Sequence, residues 1–76
     1  MEKQIIMLNS ITYAYKARDF LYTKNIIAYI ERVPAHLRNH GCGYGIRVNN
    51  KEFNKAVQLL KDDGYRIKDI IKYKYE

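Results

Sequence analysis

Tyr44-Gly45-Ile46-Arg47-Val48-Asn49-Asn50-Lys51-Glu52-Phe53-Asn54-Lys55-Ala56-Val57-Gln58-Leu59-Leu60 changes its period halfway along. Tyr44, Ile46 and Val48 alternate with Gly45 and Arg47, the repeat of a half-buried strand. Asn49 and Glu52 are spaced like a capping box, with asparagine in the cap role. Phe53, Ala56, Val57 and Leu60 then fall on the single apolar stripe of an amphipathic helix. Gly64 ends that helix, and alternation returns. Tyr65, Ile67, Ile71, Tyr73 and Tyr75 share one parity, and Arg66, Lys68, Lys72 and Lys74 the other. Asp69 and Ile70 break this alternation, so a bulge or an early strand end is expected near them. This half of the chain reads strand, helix, strand.

The other half repeats the order. Gln4 to Leu8 is continuously apolar after its first residue, which suits a central strand buried on both faces. Asn9 or Ser10 can cap the helix that follows. From Ile11 to Lys24, Ala14, Ala17 and Leu21 fall on one stripe with Phe20 beside it, and Asn25 suits a left-handed stop. Ile26 to Val33 is rich in β-branched and aromatic residues and reads as a strand ending at Pro34. Pro34 to Gly43 has turn residues and no apolar period, so it is a loop. The order β-α-β-β-α-β describes an α/β (α+β) ferredoxin-like sandwich. It has a four-stranded antiparallel sheet with both helices on one face, formed by one domain over residues 1–76.

Composition narrows the setting more than the function. With 76 residues, 47% of them hydrophobic, the chain can build a modest core, and disorder is disfavoured. One cysteine excludes an internal disulfide, and no apolar run is long enough for a signal-peptide core or a membrane span. A reducing cytoplasm is the expected setting. The net charge of +6 suits nucleic acid, an acidic protein or a small anion equally, and a solvated basic surface accounts for it without any of them. Eight tyrosines and no tryptophan suit half-buried sheet positions or, alternatively, stacking on bases.

Polar groups that do chemistry concentrate in one place. Residues 36–45 hold His36, Arg38, His40, Cys42, Gly41, Gly43 and Gly45. A thiol acts as a nucleophile or carrier when it is a thiolate, a form favoured by nearby cations and by N–H groups exposed at glycine turns. Glycines on either side of Cys42 also admit a partner's reactive group without Cβ clashes. The competing reading makes Cys42 a small buried hydrophobe at a strand start. His36, His40 and Cys42 supply three ligands where a structural zinc takes four, so no metal is expected. Asp62, Asp63 and Asp69 lie far along the chain from this loop, and no catalytic triad or carboxylate pair is apparent, which argues against an independent enzyme.

The run Tyr29-Ile30-Glu31-Arg32-Val33-Pro34, a variable loop, and then Gly41-Cys42-Gly43-Tyr44-Gly45-Ile46-Arg47-Val48 resembles the bacterial selenium/sulfur carrier protein-like family. The resemblance extends to the strand-end serine turn at Leu8 to Ser10, the alanine-bearing helix at Ala14 to Leu21, and the stretch Lys51 to Ile67. The family's Pro-Arg followed by serines is replaced by Pro34-Ala35-His36-Leu37-Arg38. The resemblance implies a carrier without a cofactor. A donor such as a cysteine desulfurase would load sulfur or selenium onto Cys42, and a second protein would accept it. Arg38 and His40 would lower the thiol pKa or hold an anion, and Gly41 and Gly43 would shape the loop.

Two other readings compete. A basic βαββαβ chain with many tyrosines also suggests an RNA-recognition domain. That register would send Arg47 into the core, however, and an unpaired buried guanidinium costs several kcal/mol. The first strand also lacks aromatics. The other alternative is an interaction module whose open sheet face pairs with a partner or a second copy.

Overall fold

The structure is a computed structural model that describes residues 2–37 and 43–74. Its elements run β1 (Glu2–Met7), α1 (Ile11–Thr23), β2 (Ala28–Arg32), β3 (Tyr44–Val48), α2 (Phe53–Asp62) and β4 (Asp69–Lys74). Short 3-10 turns at Ala35–Leu37 and Asn50–Glu52 precede β3 and α2. The four strands form one antiparallel sheet in the order β2-β3-β1-β4. This is the ferredoxin-like arrangement expected from the sequence.

Local chemistry explains where the elements stop and start. Of the two candidate caps before α1, Ser10 does the work: its Oγ accepts the Tyr13 N–H at 3.3 Å. Both helices end in the same way. Asn25 (φ 65°) and Gly64 (φ 88°) take the left-handed conformation after the last turn. The amides behind them fold back, Ile26 onto Leu21 O at 2.9 Å and Tyr65 onto Leu60 O at 2.9 Å. Ile26 is thereby used in the helix stop rather than in β2, which starts two residues later. Asn49 caps as expected, but what it caps is the 3-10 turn: its Oδ1 accepts from Lys51 N at 2.9 Å, and α2 proper begins at Phe53.

The core lies between the helices and one face of the sheet. Ala14, Ala17 and Leu21 of α1 and Phe53, Ala56 and Leu60 of α2 pack on Ile6, Leu8, Ala28, Ile46 and Val48. Arg47 points away from this layer, as the alternation of β3 requires. It donates to Glu31 Oε1 at 2.7 Å, and its guanidinium lies 4.8 Å from the centre of the Tyr29 ring. The face away from the helices has its own buried cluster, formed by Ile5, Met7, Val33 and Ile71. Both faces of β1 are therefore buried, which its unbroken apolar run predicts.

One expected pattern is corrected. The alternation from Tyr65 to Tyr75 is not one strand: β4 starts only at Asp69, where the Asp69 carboxylate accepts its neighbour's N–H from Ile70 at 2.8 Å. Tyr65, Ile67 and Ile70 pack on the helix-side core, whereas Ile71 joins the opposite cluster. The apolar side thus changes parity at the interruption, and the residues before it form a connection rather than sheet.

Candidate functional site

The sheet register brings three connections to one end of the molecule. Met7, the last residue of β1, stands opposite Gly45 of β3 and Asp69 of β4, and Arg32 ends β2 opposite Tyr44. The β1–α1 turn, the β2–β3 connection and the α2–β4 connection all leave the sheet at this end. Lys68 N donates to Met7 O at 2.8 Å, fastening the third connection to the first strand.

The β2–β3 connection carries the loop singled out in the sequence. Its base is well defined. Val33 is fully buried, and its N–H donates to Gly43 O at 2.7 Å, which extends the β2–β3 ladder one step beyond Arg32 and Tyr44. Gly43 has φ 85°, a left-handed conformation that L side chains rarely adopt. Gly43 stands where the chain enters β3. His36 is exposed in the 3-10 turn after Pro34. Cys42, Arg38, His40 and Gly41 lie outside the described residues.

At the same end of the sheet, between the β1–α1 turn and the α2–β4 connection, is a cleft of about 460 Å³ that sequence reasoning did not find. It is lined by Leu8 and Asn9 from the β1–α1 turn, Tyr13 and Lys16 from α1, and Asp63 to Arg66 after α2. The two groups of residues are far apart in the chain, and only the antiparallel return of α2 toward the start of α1 unites them. The single sequence signal was Gly64, whose helix stop sends Tyr65 and Arg66 back toward Asn9.

Tyr65 is the group here whose acidity is shifted. Partial burial is the main cause, and the Asp63 carboxylate, then Asp19 and Tyr13, push its phenol further above its ordinary value. A raised folded-state pKa means that the folded chain holds this proton more tightly than the unfolded one does. The stability so gained is complete below about pH 10 and is lost as pH rises through the folded-state pKa. Thermal midpoints measured between about pH 9 and 11.5 should fall more steeply for the wild type than for Tyr65→Phe. Equal slopes would remove Tyr65 from the alkaline transition.

Among the described residues no helix is long and apolar enough to cross a membrane. Comparison with known proteins gives one match. The family described as "Putative Se/S carrier protein-like" matches residues 3–72, which include all but the first residue of β1, both helices, β2, β3, the whole β2–β3 loop and the first part of β4. No curated protein and no solved structure matches the chain. With a match over nearly its full length, the chain belongs to the selenium/sulfur carrier protein-like family.

Proposed function

We propose that the chain works as one domain over residues 1–76, a sulfur or selenium carrier of the reducing cytoplasm with Cys42 as its carrier thiol. The observation that carries this reading is the family match across the Cys42 loop. The loop base supports it: Val33 is buried, and its N–H bonds Gly43 O, which joins the two ends of the loop at the end of the sheet. A carrier needs a reachable thiol on a fixed platform and a surface on which partners dock.

The transfer is a thiol–persulfide exchange. The Cys42 thiolate attacks the terminal sulfur of a donor persulfide, the donor's S–S bond breaks, and the donor thiolate leaves. A new S–S bond then stands on Cys42, with no net oxidation. An acceptor thiolate repeats the step and regenerates Cys42; selenium follows the same balance. Arg38 and His40 would favour the attacking thiolate, and Gly41 and Gly43 would keep the approach open. The basic excess would steer acidic donor and acceptor proteins, an effect that weakens with salt. The protein would then be a member of a relay rather than an enzyme in its own right.

A second reading, an interaction module, is favoured by one observation. Ile27 and Tyr29 are both exposed, just before and on the edge strand β2. RNA binding is the weaker alternative. On the helix-free face β1 places buried Ile5 and Met7 where an aromatic platform would have to stand.

Intact mass after incubation with a cysteine desulfurase and cysteine tests the carrier step. The wild type is expected to gain one sulfur atom, removable by a reductant, and Cys42→Ser is expected to gain none. An unmodified wild type with a thiol that resists alkylation would make Cys42 structural and favour the interaction module.

A further inference from the structure

The cleft between the β1–α1 turn and the α2–β4 connection has walls of mixed chemistry. Lys16 and Arg66 contribute two cations, Asp63 one carboxylate, Asn9 an amide, and Tyr13 and Tyr65 ring faces and hydroxyls. Among the described residues, the side chains of Asn9, Asp63 and Arg66 make no hydrogen bond or ion pair, and Lys16 lies over the Tyr13 ring, at 5.5 Å. Two cations, an amide and a carboxylate thus face one opening without neutralising each other. The Tyr65 ring also packs against Phe20, with ring centres 5.6 Å apart. The volume is that of a metabolite site rather than of a single inorganic ion.

We propose that this cleft binds a small organic anion, with Lys16 and Arg66 holding its carboxylate or phosphate group and Tyr13 and Tyr65 flanking its body. Arg66 can offer paired N–H donors to such a group, and Lys16 adds a point charge. The Tyr65 phenol, kept protonated, is a donor for the same group. Asp63 sets the charge limit: beside two cations it leaves a net charge of one, so a singly charged head suits the cleft better than a doubly charged one. The opening lies at the end of the sheet that carries the Val33–Gly43 loop base. A ligand here would share that rim with the carrier loop, but the proposal does not depend on the carrier reading.

Amide NMR titration of the full chain tests it, with benzoate as the carboxylate probe and phenyl phosphate as the phosphate probe. Inorganic phosphate serves as a size control and benzylamine as a charge control. Both organic anions are expected to give saturating shifts confined to Asn9, Tyr13, Lys16 and residues 63–66, with benzoate the tighter at neutral pH. Arg66→Gln and Lys16→Gln should each weaken binding about tenfold, the loss of one charge-assisted bond. Both replace exposed side chains, so folding should be unaffected. Asp63→Asn should tighten phenyl phosphate about threefold by removing a like charge. Shifts that do not saturate, that spread over the basic surface, or that survive Arg66→Gln would overturn the proposal. Equal binding of benzylamine, or weaker anion binding in Asp63→Asn, would also overturn it. Because the readout does not use Cys42, its failure would leave sulfur loading untouched, and failed loading would leave the cleft untouched.

Discussion

Gly45→Ala is expected to destabilise the protein by about 2–3 kcal/mol, although the change adds one methyl group to a strand. A Cβ at this position would stand 2.5 Å from Ile6 O and 2.7 Å from Ile5 Cγ2. The first is backbone in the central strand, and the second belongs to a fully buried side chain. Neither can step aside without moving β1 relative to β3. Gly45 pairs with Met7 on one side and Glu31 on the other, so the strain falls on both ladders. The lower entropy of the unfolded alanine chain offsets only about 0.5–1 kcal/mol of this. Gly64→Ala is the contrasting control. There the surrounding space is empty, and the cost comes from φ 88° alone, about 1 kcal/mol. Urea midpoints of the two variants should rank Gly45→Ala well below Gly64→Ala. The reverse order would show that β3 is not seated against β1 as described. Function follows from the same contact, because β3 begins one residue after Gly43. A shifted β3 would carry the Val33–Gly43 bond, and with it the loop base, out of place.

Features set by a few neighbouring residues are legible in the sequence. The apolar run after Gln4 marks β1 as central, and the stripe from Phe53 to Leu60 marks α2. Asn25 and Gly64 stop the helices through backbone conformations that their side chains, or lack of one, permit. The outward direction of Arg47 is also readable, since burying it unpaired would be prohibitive. What is not readable depends on partners distant in sequence. The start of β4 is one example: Tyr65 and Ile67 alternate like a strand because they line the core, yet pairing with β1 runs only from Asp69. Burial sets the alternation, whereas a strand also needs a neighbour in register. The cleft is another, because no spacing rule links Lys16 to Arg66. For the candidate site, the positive φ of Gly43 is a conformation that glycine permits, while the roles of Gly43, Arg38, His40 and Cys42 rest on sequence proximity.

The sequence also allowed an open sheet face bearing tyrosines, and Met7→Ala measures how closed that face is. Met7 is fully buried, with Ile5, Val33 and Ile71 around it, on the side of the sheet away from both helices. On an open, solvated face, truncation would cost no more than about 0.5 kcal/mol. In a packed cluster the lost methylenes and the cavity left behind should cost about 3 kcal/mol, comparable to Leu60→Ala in the helix-side core. Denaturant midpoints of the two variants separate these cases, and a negligible loss in Met7→Ala would reinstate the open face. The cluster also reaches the candidate site, because Val33 belongs to it and holds the loop through Gly43. Leu60 belongs to the other cluster, between the helices and the opposite face of the sheet, which does not include Val33. Under conditions where both variants remain folded, Met7→Ala should therefore change the alkylation rate of Cys42, and Leu60→Ala should leave it near the wild-type value. Equal rates in the two would mean that the helix-free cluster supports the sheet alone. Unequal rates would tie packing on the helix-free face to the reactivity of the thiol.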